Sequence, residues 1–166
     1  MARRVLVVGG GIAGVGLARA LKERAGSEFD VTIVTKDTFY LAGPSRPLLL
    51  TGEQSYERII RGYGELERIG VRVEHGVVTR VVPEERYVEV AEAPTRPSPR
   101  RLEYDYLVLA PGVVLDGTGI EGYEEYRGNI VNVYEPGRVD VFKKRLWTET
   151  KGTVVVYAPP APYRGA

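Results

Sequence analysis

Three glycines stand at the spacing G-x-G-x-x-G in the segment RVLVVGGGIAGVGLARAL, residues 4–21: Gly9, Gly11 and Gly14. Their chemistry is that of exposed backbone. Gly9 permits a tight turn from strand into helix, Gly11 lets main chain approach a pyrophosphate, and Gly14 lets the helix lie close on the strand. The N–H groups and positive dipole end of that helix would face the phosphates. About 20 residues further on, where such sites usually carry an acid for a ribose hydroxyl, stand Thr35, Lys36 and Asp37. A threonine hydroxyl can bond a ribose and a lysine can approach a phosphate; a solvated turn is an equal reading. His75 is the single histidine, with no nucleophile elbow or metal-spaced carboxylates beside it, and reads as structural or solvent-exposed. The chain has no cysteine, which excludes a disulfide, a thiolate zinc site and thiol redox chemistry of its own.

The elements that must position these residues follow from the pattern. Residues 5–8 are a short apolar β-branched run, suited to a strand buried on both faces of a parallel sheet. Gly14, Leu17, Ala18, Leu21 and Ala25 share a helical face, and Gly26 stops the helix. A second buried strand at 31–34 completes a βαβ unit, the context a dinucleotide site requires; a glycine-rich turn in another α/β fold, binding nothing, is the alternative.

Residues 39–50 form a loop with two prolines and unusually many apolar side chains, expected to pack on core or on a flat cofactor. A helix is expected from Ser55, with Ile59, Ile60, Leu66 and Ile69 on one face and Gly62 and Gly64 weakening its middle. A strand follows at 71–74. The runs 77–82, 86–91 and 102–110 then predict an antiparallel meander where a crossover helix would otherwise stand, with 94–101 as its solvated loop. The chain returns to an apolar strand at 106–109. Residues 113–127 show no clean period. Pro136 marks a helix start, with Val139, Phe142 and Leu146 as its buried face and Trp147 anchoring its end. Residues 153–157 read as a further buried strand. Three segments are expected: a nucleotide-binding domain over 1–115, a connecting segment with one helix over 116–150, and the start of a second nucleotide-binding-type unit over 151–166.

The 166 residues carry a net charge of +1, which gives no reason to expect nucleic acid or an anionic membrane as partner. No run approaches the roughly 20 apolar residues of a membrane span, so a soluble, cytoplasmic protein is expected. Scarce Asn, Gln, Met and Cys beside abundant charge is a thermophile tendency.

The segment GGGIAG, the meander and the sequence YDYLVLAPG at 104–112 together resemble the FAD-binding domain of the pyridine nucleotide-disulfide oxidoreductase superfamily. Within it, residues 39–52 with Pro44, Pro47 and Gly52, the ending VVVYAPPAPYR and Thr35 in place of the ribose acid resemble sulfide:quinone oxidoreductases and flavocytochrome c sulfide dehydrogenases. The resemblance implies an α/β, Rossmann-like FAD/NAD(P)-binding domain with a parallel sheet and a meander crossover. It implies FAD as cofactor, held at the pyrophosphate by Gly9, Gly11, Ile12, Ala13 and Gly14 and at the adenosine end by Thr35 and Lys36. The Val78 backbone would meet the adenine, Ala110, Pro111 and Gly112 the flavin side, and Pro44 and Ser45 would lie near the isoalloxazine. Pro111 replaces the family's usual threonine, and Gly165 stands where the sulfide-oxidising relatives place a redox cysteine. No catalytic residue is assigned.

The resemblance covers the N-terminal part of such an enzyme. It implies a quinone or other electron acceptor and a peripheral membrane association in the complete enzyme. The strand read at 153–157, left without a covering helix, instead predicts a homodimer with much of its contact from about Pro136 onward, or a further chain supplying the C-terminal part. A non-catalytic dinucleotide-binding module and a plain NAD(P)-binding fold are the alternatives.

Overall fold

The computed structural model describes residues 2–41, 45–91, 99–130, 132, 134–135, 138–148 and 151–157. They fall into two compact units, Met1–Asp116 and Gly117–Ala166.

In the first unit β1 (Arg3–Val8) leads through the glycines into α1 (Ile12–Ala25), and β2 (Phe29–Thr35) returns beside β1. With β5 (Arg72–His75) and β9 (Tyr106–Leu109) these strands form a parallel sheet in the order β5-β2-β1-β9. Register is fixed by pairs such as Val7 with Ile33 and Val7 with Val108. Side chains alternate across the sheet, so each strand supplies two cores. Val5, Val7, Val31 and Ile33 pack on the α1 side against Val15, Ala18, Tyr63, Leu66 and Val71. Leu6 and Val34 pack on the other side against Val88, Val90 and Tyr104.

That second cover is the expected meander. The strands β6 (Val77–Val82), β7 (Tyr87–Ala91) and β8 (Arg100–Glu103) pair antiparallel, with a register shift between Val78 and Arg80. The connection from β5 to β9 therefore crosses the sheet as a sheet. The meander-loop reading ran too far: Arg100 and Arg101 lie in β8, while residues 92–98 fall outside the described residues.

The single helix expected from Ser55 is not formed. Instead α3 (Tyr56–Ile59) ends at β4 (Ile60–Gly62), and α4 (Gly64–Arg68) follows. β4 pairs antiparallel with β3 (Phe39–Leu41), inside the segment read as a loop, and α2 (Arg46–Thr51), with Pro47 in its first turn, follows, while residues 42–44 lie outside the described residues. Gly62 and Gly64 lower helix propensity by roughly 1 kcal/mol each, enough to let a tertiary strand pairing win. Ile59 and Leu66 are buried as expected, while Ile69 is exposed on the last turn.

In the second unit, residues 118–129 form turns, and α5 (Arg138–Thr148) is the helix among the described residues, the expected start at Pro136 lying outside them. Val139 is buried, but Leu146 and Trp147 are exposed, so Trp147 does not anchor the helix end. Residues 153–157 make no strand, and Val154, Val155 and Val156 stand exposed. A β-prone run takes up strand geometry only against a partner ladder, and none forms here among the described residues.

Candidate functional site

The chain runs from β1 to β2 and β5 on one side, then crosses to β9 on the other. The strand order thus reverses between β1 and β9. In open α/β sheets ligands bind in the crevice outside the carboxyl ends of the strands at such a reversal. Gly9 leaves β1 there and Ala110 leaves β9.

The four glycines have four different surroundings. Gly9 has φ +114°, and a Cβ on it would overlap the Ala110 carbonyl. Its N–H donates to the Val34 carbonyl at 2.8 Å, and the Ala110 N–H donates to Val8 at 2.8 Å. A Cβ on Gly14 would overlap the Gly9 carbonyl, so helix and turn are in direct backbone contact. A Cβ on Gly10 would overlap the hydroxyls of Tyr63 and Thr35. Gly11 differs: nothing lies within 4 Å of a Cβ built there. It is the N-cap of α1, with φ −78° and ψ −175°, no side-chain cap and no acid in the first turn of the helix. The first N–H groups of a helix have no partner within it. Here Gly11, Ile12 and Ala13 are exposed, so these donors and the positive helix end meet an open space suited to an anion.

Thr35 ends β2 but is 3% exposed. Its hydroxyl lies 3.2 Å from Tyr63 Oη and accepts the Asp37 N–H at 3.2 Å. Tyr63 Oη in turn donates to the Gly10 carbonyl at 2.9 Å. The Thr35 hydroxyl is thus turned under the glycine loop and committed to this network, while Lys36 beside it is exposed. The Thr35 carbonyl accepts the Gly76 N–H at 2.9 Å, tying the end of β2 to the turn before β6. Val78 lies in β6, half-buried against the second core. Ala110 is half-buried, Pro111 and Gly112 are exposed, and Gly112 has φ +78°. Ser45 precedes α2, its carbonyl accepting the Leu49 N–H at 3.3 Å; Pro44 lies outside the described residues.

The structure therefore brings Gly9, Gly11, Ile12, Ala13, Gly14 and Ala110 to one crevice, with Thr35 beneath it. Tyr63 was missed by sequence reasoning. It sits between Gly62 and Gly64, which mark a helix break but carry no signal for a hydroxyl reaching a loop 53 positions earlier in the chain. Burial raises the pKa of Tyr63 above the ordinary phenol value, opposed by its bond to Thr35, so the hydroxyl keeps its proton and serves as a donor. His75 is exposed, its ring 6.2 Å from that of Tyr63.

Among the described residues no group of three or more acidic or histidine side chains could hold a metal ion. A cleft of about 330 Å³ at the opposite ends of the strands is lined by Arg4, Arg72 and Arg101. Each faces a carboxylate, Arg4 meeting Asp105 at 3.1 Å and Arg72 meeting Asp30 at 3.2 Å, with Arg101 4.0 Å from Glu89.

Comparison with known proteins agrees with this geometry. Residues 3–156 match the family model described as pyridine nucleotide-disulphide oxidoreductase, and the chain belongs to that family. It is 29% identical to the sulfide-quinone reductase of Aquifex aeolicus over 161 residues, which are 96% of this chain and 35% of that relative. A 47-residue stretch, 28% of this chain, is 43% identical to Ambineela of Acidianus ambivalens and covers 98% of it. The solved structure of the sulfide:quinone oxidoreductase of Aquifex aeolicus superposes with a TM-score of 0.73 at 25% identity, covering 88% of this chain and 32% of that one. The chain thus spans about a third of the length of the Aquifex relative. No helix among the described residues is long and apolar enough to cross a membrane.

Proposed function

We propose that this member of the pyridine nucleotide-disulphide oxidoreductase family supplies the FAD-binding domain of a flavin-dependent oxidoreductase of the sulfide:quinone type. The observation that carries the reading is the crevice between β1 and β9. There an uncapped helix N-terminus faces open space at Gly11, and the Ala110 backbone closes against Gly9.

FAD fits this arrangement. Gly9, Gly11, Ile12, Ala13 and Gly14 would hold its pyrophosphate through backbone N–H groups and the helix dipole. Lys36 is the exposed group at the adenosine end, with Thr35 acting from below through its bonds to Tyr63 and Asp37. The Val78 backbone would border the adenine, and Ala110, Pro111 and Gly112 the flavin side, with Pro44 and Ser45 towards the isoalloxazine. Pro111 has no N–H, so any main-chain donor towards the flavin at this point would come from Gly112. Bound flavin supplies the electron-carrying chemistry, and these residues bind, orient and shield it. The quinone-type acceptor rests on the kinship with the Aquifex reductase.

Sulfur transfer requires a thiolate or a disulfide, and the chain has no cysteine. FAD titrated into the purified chain is expected to bind, giving a yellow complex with perturbed flavin bands. The same complex is expected not to reduce quinone with sulfide in an anaerobic assay. Failure to retain FAD would overturn the flavin reading; sustained sulfide-dependent turnover would require a cysteine-free mechanism.

A further inference from the structure

We infer that Tyr63 is a positioning residue for the phosphate loop: its hydroxyl, bound to the Gly10 carbonyl, aims the Gly11 N–H out of the protein towards the pyrophosphate. The inference rests on the dinucleotide reading above and adds to it a residue outside the glycine motif.

Three successive glycines, Gly9 to Gly11, make the most conformationally free segment a chain can have. Such a loop offers an anion well-aimed donors only if something holds it before the ligand arrives, because each freely moving residue must otherwise be ordered on binding. Gly9 is held by its N–H bond to Val34 and by its positive φ against Ala110. The carbonyl of Gly11 is held as the acceptor of Val15 N–H at 2.9 Å, the first bond of α1. The peptide between them, Gly10 to Gly11, is held by Tyr63 Oη at 2.9 Å. In a planar trans peptide the C=O and the following N–H point in opposite directions. A Gly10 carbonyl turned inward onto Tyr63 therefore turns the Gly11 N–H outward.

The anchor is itself rigid. Tyr63 is 5% exposed, belongs to the core on the α1 side, and lies with its ring 5.6 Å from that of Tyr40. Its carbonyl accepts the Leu66 N–H at 2.8 Å and the Glu67 N–H at 3.2 Å, fixing it at the start of α4. The Thr35 hydroxyl fixes Oη from the side. Gly10 must be glycine for the same reason, since a Cβ there would take the space of both hydroxyls.

Tyr63→Phe removes the hydroxyl and keeps the ring. It is expected to weaken FAD about tenfold, equivalent to about 1.4 kcal/mol, in a titration read by flavin fluorescence. The ³¹P resonances of bound FAD should shift, because the altered donor faces the pyrophosphate. Gly10→Ala, which pushes on the same hydroxyl, should weaken FAD in the same direction. Tyr104→Phe makes the same chemical change in the core across the sheet and should leave affinity and ³¹P shifts unaltered. Far-UV circular dichroism checks that each variant is folded. An unchanged affinity in folded Tyr63→Phe, or equal losses in both tyrosine variants, would overturn the inference and leave the dinucleotide reading standing. A parent chain that binds no FAD would overturn both.

Discussion

Gly11→Val is expected to give a protein that folds like the parent and no longer binds FAD. The backbone at Gly11, φ −78° and ψ −175°, is open to any residue, and beyond its chain neighbours a Cβ there meets no heavy atom within 4 Å. The fold's stake in this glycine is its place as N-cap of α1, where valine is the poorer residue by about 1 kcal/mol. Its side would, however, fill the space in which the pyrophosphate meets the first N–H groups of α1. Affinity should fall by at least about a hundredfold, or about 2.8 kcal/mol, with the thermal midpoint of the ligand-free protein within a few degrees of the parent. Isothermal titration with differential scanning calorimetry reads both quantities. A variant that binds FAD as tightly as the parent would show that the open space beside Gly11 is not the phosphate site.

Gly9→Ala is expected to do the opposite. A Cβ at Gly9 would overlap the Ala110 carbonyl, which is backbone and cannot swing aside, and φ +114° is strained for any L side chain. Relief requires β1 and β9 to part, loosening the Ala110 N–H bond to Val8 and the sheet behind it. The combined overpacking and strain should cost roughly 3 kcal/mol or more, a large part of the stability of a domain this size. Urea denaturation should show an early midpoint or a partly unfolded baseline. A midpoint equal to that of the parent would mean that the approach of Ala110 to Gly9 does not hold the crevice shut.

These two glycines show what the sequence could reveal and what it could not. The motif spacing, the apolar runs of β1 and β2 and the alternation of the meander are local signals, and the parallel sheet and its meander crossover follow from them. The motif proposes a phosphate role for Gly11, beside which the structure leaves open space, and a packing role for Gly14, where a Cβ would overlap the Gly9 carbonyl. It is silent on Gly10, whose constraint comes from Tyr63, and on the partner that confines Gly9, which is Ala110, just past the neighbouring strand β9. Thr35 reads in sequence as a residue at the ribose position; only the strand register shows that 31, 33 and 35 share the α1 side, which turns the hydroxyl inward. The helix over 55–69 failed because its apolar spacing was real but interrupted, and pairing between β3 and β4 decided the outcome. Residues 153–157 failed for the converse reason: the pattern is strand-like, but no neighbouring strand among the described residues completes it.

The pairing of β1 with both β2 and β9 also sets an order in time. Val5 meets Val31 across one helix, but it meets Tyr106 only after the whole meander, and the Arg4 N–H bond to Asp105 spans 101 positions. The second closure encloses a loop roughly four times longer, about two doublings, and so costs about 1.2 kcal/mol more in chain entropy. Folding should thus raise the phosphate-facing half of the crevice, carried by β1 and α1, before Ala110 arrives to form the other wall. Pulse-labelled hydrogen exchange should protect the amides of Val31 to Val34 earlier than those of Val108 to Ala110. Simultaneous protection would mean that the meander docks in the same step, making the crevice a single event of folding rather than the meeting of an early wall and a late one.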